Sequence, residues 1–263
     1  MLKPLLGFLK PPRIFKVSKG LRPALLTCGL LQVMPAFAAE PDWTPYAQLL
    51  EKHVRPGERD GVALNQANYS ALKNDPLWPQ VVALVEQFPV AQLASPQEKL
   101  SFHINAYNVF ALKMVLDHWP VESIKDAGSL LRPVWKKPVG TLDGKTVTLQ
   151  QVEDDFLRSM GEPRIHMAIV CASVSCPDLR NEPYRAATLE TQLEDQATSF
   201  LANKKKGLYL EDDTVHVSKI FSWFEDDFAV SGGVEKFLRR YQSLPEKLSI
   251  DADIDYNWTL NGS

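Results

Sequence analysis

The four residues Ser95-Pro96-Gln97-Glu98 open a helix that has no room for a solvent face. Serine is a good N-cap, glutamate three residues later completes a reciprocal capping box, and proline is tolerated at the first helical position. The pattern predicts a helix running to about His118, ahead of Pro120. Along it Leu100, Phe102, Ile104, Tyr107, Val109, Phe110, Leu112, Met114, Val115 and Leu116 point nearly all round, the signature of a helix buried on most sides. Such a helix must be central, and the rest of the chain must wrap it. With 263 residues, 45% of them hydrophobic and 23% charged, the chain has enough apolar surface for one sizeable core. The expected fold is a single α+β domain: a central buried helix, a small, mostly antiparallel sheet with hairpins, and surrounding helices.

The flanking segments supply those layers. Thr44-Pro45 starts a short helix that stops before Pro56, residues 56–77 read mostly as loop, and residues 79–88 form a second helix. Residues 139–142 and 145–149 flank Asp143-Gly144, a preferred tight hairpin turn. Thr148 and Gln151 cap a helix carrying Leu149, Val152, Phe156, Leu157 and Met160. The short apolar run 164–170 reads as a buried strand leading into Cys171. An amphipathic helix through Leu189, Leu193, Ala197, Phe200 and Leu201 ends at Lys204-Lys205-Lys206, read as a solvated run. A hairpin (208–210 with 215–217), the aromatic cluster Phe221, Trp223, Phe224 and Phe228, a helix through Val234 and Tyr241, and a terminal strand over 253–260 complete the pass.

Charge is divided unevenly. Residues 1–38 hold six basic residues and no acid; the remainder holds 23 basic and 32 acidic residues, a balance of -9. That excess argues against sequence-independent nucleic-acid binding. The basic stretch 1–22, the apolar stretch 24–34 and Ala36-Phe37-Ala38 together form the pattern of a signal peptide cleaved after Ala38. The apolar stretch is shorter than the roughly 20 residues a spanning helix needs, so no permanent membrane span is expected. The expected product is exported, periplasmic or secreted, with Cys171 and Cys176 as its cysteines.

Several residues can carry chemistry. Ser101, Asn105 and Asn108 share one face of the central helix, where buried amides need partners, either a binding site or an internal network. His166 precedes Cys171 by five residues, and imidazole beside a thiol makes a thiolate nucleophile. His216 is a second histidine candidate. Cys171-Ala-Ser-Val-Ser-Cys176 leaves three readings open: a disulfide, a free nucleophile at Cys171 with Ser173, Ser175 and the loop amides as oxyanion donors, or a metal site with His166 that lacks a fourth ligand. Arg180 has the fork for a carboxylate or phosphate or for a local ion pair, and Trp223 is placed to line a pocket mouth. No cofactor motif is found.

Three stretches resemble the domain of unknown function 547 family: Phe102-His103-Ile104-Asn105-Ala106-Tyr107-Asn108; Pro163-Arg164-Ile165-His166 through Cys171-Ala172-Ser173-Val174-Ser175-Cys176-Pro177 with Leu179-Arg180; and Ser218-Lys219-Ile220-Phe221-Ser222-Trp223-Phe224 with Asp227-Phe228. His103 departs from the tryptophan usual in that family. The resemblance covers roughly 60–242, dividing the chain into a signal peptide (1–38), an N-terminal helix and linker (39–59), the domain (60–242) and a C-terminal extension (243–263). It implies no established activity, substrate or cofactor. Two function classes follow from the residues: a binding or scaffold domain for an unidentified protein or cell-envelope ligand, with a structural cysteine loop and a buried Asn/His/Cys cluster; or a cysteine-dependent hydrolase or acyltransferase acting on a peptide or cell-envelope substrate, with Cys171 as nucleophile and His166 as base.

Overall fold

A computed structural model describes residues 40–263; the expected signal segment lies outside the described residues. Helix α1 (Thr44–His53) leads into the hairpin β1 (Val54–Arg59) and β2 (Val62–Ala67), followed by α2 (Tyr69–Lys73) and α3 (Trp78–Glu86). The long helix α4 (Pro96–His118) comes next, then the hairpin β3 (Pro138–Leu142) and β4 (Lys145–Thr148). One turn of helix, α5 (Leu149–Gln151), runs directly into a π-helical turn over Val152–Leu157 and a 3-10 turn over Arg158–Met160. The remainder comprises α6 (Ile165–Ala168), α7 (Leu189–Ala202), β5 (Leu208–Glu211), β6 (Thr214–Ser218), α8 (Ile220–Trp223), α9 (Val234–Tyr241) and β7 (Ser249–Ile254). The fold is a single α+β domain with small sheets, as expected from sequence.

The central helix forms as its sequence dictates. Ser95 Oγ accepts from the Glu98 N–H (3.1 Å), and Glu98 Oε2 accepts in return from the Ser95 N–H (2.9 Å). From Leu100 to Leu112 every residue of α4 is buried. Hairpin β3–β4 lies so close to it that a Cβ at Gly140 would collide with the Phe110 ring, so only glycine fits there.

Two hairpins turn through left-handed Asp-Gly pairs. In both Asp60-Gly61 and Asp143-Gly144 each residue has positive φ (53° and 76°; 48° and 70°), matching the right-handed twist of paired strands. The first hairpin occupies the stretch read from sequence as loop. The third sheet orders its strands β5-β6-β7, with β7 parallel to β6, so the terminal strand spans 249–254 rather than 253–260.

The segment 164–170 is not a strand. Backbone N–H groups of Ile165, His166 and Met167 donate back to Glu162, Pro163 and Arg164, folding it into the single turn of α6 before Ile169 extends. An apolar run this short carries no periodicity that separates helix from strand.

Side chains pack into two main clusters. The larger surrounds α4 and runs from Trp43 to Leu260; the smaller joins α7, β5, β6, α8 and α9 through Phe200, Val215, Val217, Phe221, Phe228 and Phe237.

Candidate active site

A cavity of about 390 Å³ opens where the two clusters meet. Tyr107, Ile169, Cys171 and Cys176 line it from the side of α4, and Ile220, Phe224 and Tyr256 from the side of the smaller cluster. Trp135, Trp223 and Trp258 add aromatic wall, while Glu153, Arg158 and His166 add charge and hydrogen-bonding capacity. The volume and the mainly apolar wall with a few converging polar groups fit a small-ligand site.

Cys171 stands at the centre of this chemistry. It is only partly buried, and its Sγ lies 3.1 Å from Ser173 Oγ and 3.2 Å from the Tyr256 hydroxyl. Burial pushes the thiol up, but hydrogen bonds from Cys176, Ser173 and Tyr256 outweigh it and draw the thiol down to about 7. Burial and the neighbouring Cys171 push the Cys176 thiol up, and burial holds the Tyr256 phenol protonated, so both have a proton to donate. Ala172, the next residue after Cys171, is held at φ 59° by an antiparallel bridge in which the Asn261 N–H donates to the Ala172 carbonyl (3.0 Å). A left-handed alanine is strained, and strain of this kind gathers at functional sites.

The disulfide open in the sequence reading is not formed. Cys171 and Cys176 are free thiols, outside disulfide distance, with the Cys171 backbone N–H donating to Cys176 Sγ (2.9 Å). Three of the loop amides are engaged within the fold. Val174 N–H donates to Thr259 O, Ser175 N–H to Asn257 O and Cys176 N–H to Ser173 O. Ser175 Oγ accepts from the Asn257 N–H (2.8 Å). Lys206 corrects another expectation: its ammonium is buried, donating to Cys176 O (2.9 Å) and pairing with Asp178 (2.6 Å), where it ties down the far end of the cysteine loop.

His166 lines the cavity without bonding to the thiol. Its Nε2 meets Asp227 Oδ2 at 2.8 Å, its ring stacks on Phe224 at 4.1 Å, and Arg158 grips Asp227 from the other side with two bonds of 2.6 and 3.0 Å. Burial pushes the imidazole down to about 4 despite Asp227, so the ring is neutral at physiological pH. A neutral ring supplies no imidazolium to hold a thiolate.

Glu153 carries no signal in the sequence reading, yet it is the strongest acid–base candidate here. The π-helical turn, a feature that recurs at functional sites, points it at the cavity beside Tyr107, whose hydroxyl donates to it at 3.4 Å. Burial, and then the charges of Asp154 and Cys171, push the carboxyl up to about 7. In sequence Glu153 sits in the acidic run Glu153-Asp154-Asp155, which looks like an ordinary solvated first turn. Tyr256 and Trp258 were equally hidden, lying in the stretch read as a C-terminal extension.

The other sequence candidates scatter. Asn105 exchanges two hydrogen bonds with the Tyr184 backbone (2.7 and 2.9 Å), whereas Asn108 holds Ala168 O (3.0 Å) and the Val170 N–H (2.9 Å). Ser101 donates to Glu40 (2.8 Å). The two amides of α4 thus clamp separate backbone segments, and the one held by Asn108 leads directly into Cys171. Arg180 is held by Glu182 and Asp195 outside the cavity. Trp223 is half exposed at the mouth, stacked on Trp258 at 5.8 Å. His216 pairs with Asp253 on the surface of the third sheet. Among the described residues no group of three His, Cys, Asp or Glu side chains is arranged to hold a metal ion, and no helix is long and apolar enough to cross a membrane.

Residues 91–201 match the model of the family described as Protein of unknown function, DUF547. The match takes in Glu153, His166, Cys171 and Cys176 and is narrower than the 60–242 expected from the motifs. No curated protein and no solved structure matches the chain.

Proposed function

Given that the chain carries a DUF547 family domain over residues 91–201, and that this family's description assigns no activity, we propose from the cavity's own chemistry that the protein is a thiol-dependent acyltransferase or hydrolase, exported to the cell envelope after cleavage behind Ala38. The observation that carries this reading is Cys171: a reachable thiol at a cavity wall, brought to about 7 by three hydrogen-bonding neighbours. Glu153, raised to about 7, keeps a proton into the neutral range, where an ordinary carboxyl has lost it.

The cycle balances with these groups alone. The Cys171 thiolate attacks an acyl carbonyl, forming a carbon–sulfur bond, and the oxyanion takes up hydrogen bonds that Tyr256 and Ser173 release as charge leaves the sulfur. Collapse expels an amine or alcohol, which takes the Glu153 proton. Water or an acceptor hydroxyl then attacks the thioester, gives its proton to the Glu153 carboxylate and returns sulfur as thiolate. The aromatic wall suits a substrate whose acyl or adjoining portion is apolar. His166 and Arg158, both held by Asp227, shape one wall.

A small activated thioester tests this. Intact mass should show one acyl group added at Cys171, absent in Cys171→Ser, while Glu153→Gln should acylate but turn over at least about tenfold more slowly, since a positioned acid–base group contributes about 10² or more. A wild-type protein that is never acylated would end the proposal. The mainly apolar, aromatic-walled cavity also suits a second reading, a non-catalytic binding domain, and that negative result would select it.

A further inference from the structure

We infer that the loop between α4 and β3 is a membrane-docking tip that seats the cavity mouth on an anionic lipid surface. The tip is built, not frayed. Ser129 N–H donates to Arg132 O (2.9 Å) and Arg132 N–H returns to Ser129 O (3.2 Å), leaving Leu130 and Leu131 alone at the apex. Both side chains are fully exposed. The base of the loop is tight, since a Cβ at Gly128 would crowd Val134 N, Lys125 O and Arg132 O.

Two adjacent leucines, both fully exposed at the apex of a closed turn and flanked by basic residues, form a small apolar patch with a polar rim, the arrangement that marks interaction and membrane sites. A protein interface needs about 800 Å² per partner, far beyond two leucines, whereas a bilayer accepts a shallow insertion of few side chains. Charge around the tip points to the same occupant. Residues 125–137 contain four basic residues (Lys125, Arg132, Lys136, Lys137) and one acid, in a chain whose residues 39–263 carry net negative charge. Cations beside an inserting apolar tip draw it to anionic headgroups. Aromatics complete the pattern: Trp135 lies 6.1 Å from Trp258, over which the Lys125 ammonium sits at 3.5 Å, and Trp223 stacks on the same ring. Tryptophans collect at the lipid–water boundary, and these three also line the cavity. The inference stands on the loop alone and does not need Cys171 to be a nucleophile.

Vesicle co-sedimentation tests it with the chain from Ala39, which retains the whole described core. Vesicles of equal phosphatidylglycerol and phosphatidylcholine should bind the wild type, and phosphatidylcholine alone should bind it much more weakly. Leu130→Ser with Leu131→Ser should weaken anionic binding by about tenfold or more, the removed apolar contact being several methylene groups, with an unchanged circular dichroism spectrum. Lys136→Glu and raised salt should weaken it too. The inference falls if the wild type does not bind, if it binds both vesicles alike, if the leucine pair can be replaced without loss, or if that replacement instead dissolves a dimer formed without lipid.

Discussion

Cys171 takes its acidity from Cys176 and Ser173 in its own loop and from the distant Tyr256, and each can be removed singly. Tyr256→Phe keeps the ring and deletes one hydrogen bond to the sulfur (3.2 Å). A bond to a charged acceptor is worth about 1.5 to 3 kcal/mol, so the thiol should rise by about one unit or more and alkylate severalfold more slowly at neutral pH. Iodoacetamide rates across pH check this: the wild type should show a midpoint near 7, and a midpoint near that of a free peptide thiol would refute the assignment. His166→Ala should leave the midpoint almost unmoved, because the ring is neutral and bonded to Asp227. At this scale the sequence announced Cys171 and Trp223. It hid Glu153 and Lys206, whose burial is made by tertiary contacts and not by any spacing around them.

At the scale of elements, α4 acts as the spine on which the site is hung, and its two amides have different duties. Asn108 fixes Ala168 and Val170, the segment that delivers Cys171, while Asn105 fixes Tyr184. Either alanine substitution should cost about 1 to 3 kcal/mol in denaturant unfolding, through backbone groups left unpaired. Thiol alkylation separates them: Asn108→Ala should change the Cys171 rate and Asn105→Ala should not, and equal effects would show that the clamp has no local role. Elements with strong local signals were legible, as the capping box of α4 and Asp143-Gly144 show. The first hairpin was not, although Asp60-Gly61 turns the same way, because Arg55-Pro56-Gly57-Glu58-Arg59 is polar with no alternation. The π-helical turn has no sequence signature.

For the whole molecule, the cavity makes stability depend on pH through two opposed groups. Between 4.5 and about 7 the folded protein keeps the Glu153 proton that the unfolded chain releases, so this group lowers stability as pH rises. Between about 4 and 6.5 the unfolded chain takes up a proton that the buried His166 ring refuses, so that group raises stability with pH. Each amounts to at most about 3 kcal/mol, and over their common range they largely cancel. Glu153→Gln should remove one and leave a stability that climbs with pH through this window relative to wild type; parallel pH profiles in urea would contradict it. The architecture also sets when the site exists. Tyr256 follows Cys171 by 85 residues and Trp258 lies beyond it, so a chain leaving the ribosome presents the cysteine loop well before the residues that close the cavity over it. Until they dock, the sulfur lacks one of its three hydrogen-bonding neighbours and an outer wall, and the closing of the fold completes its arming.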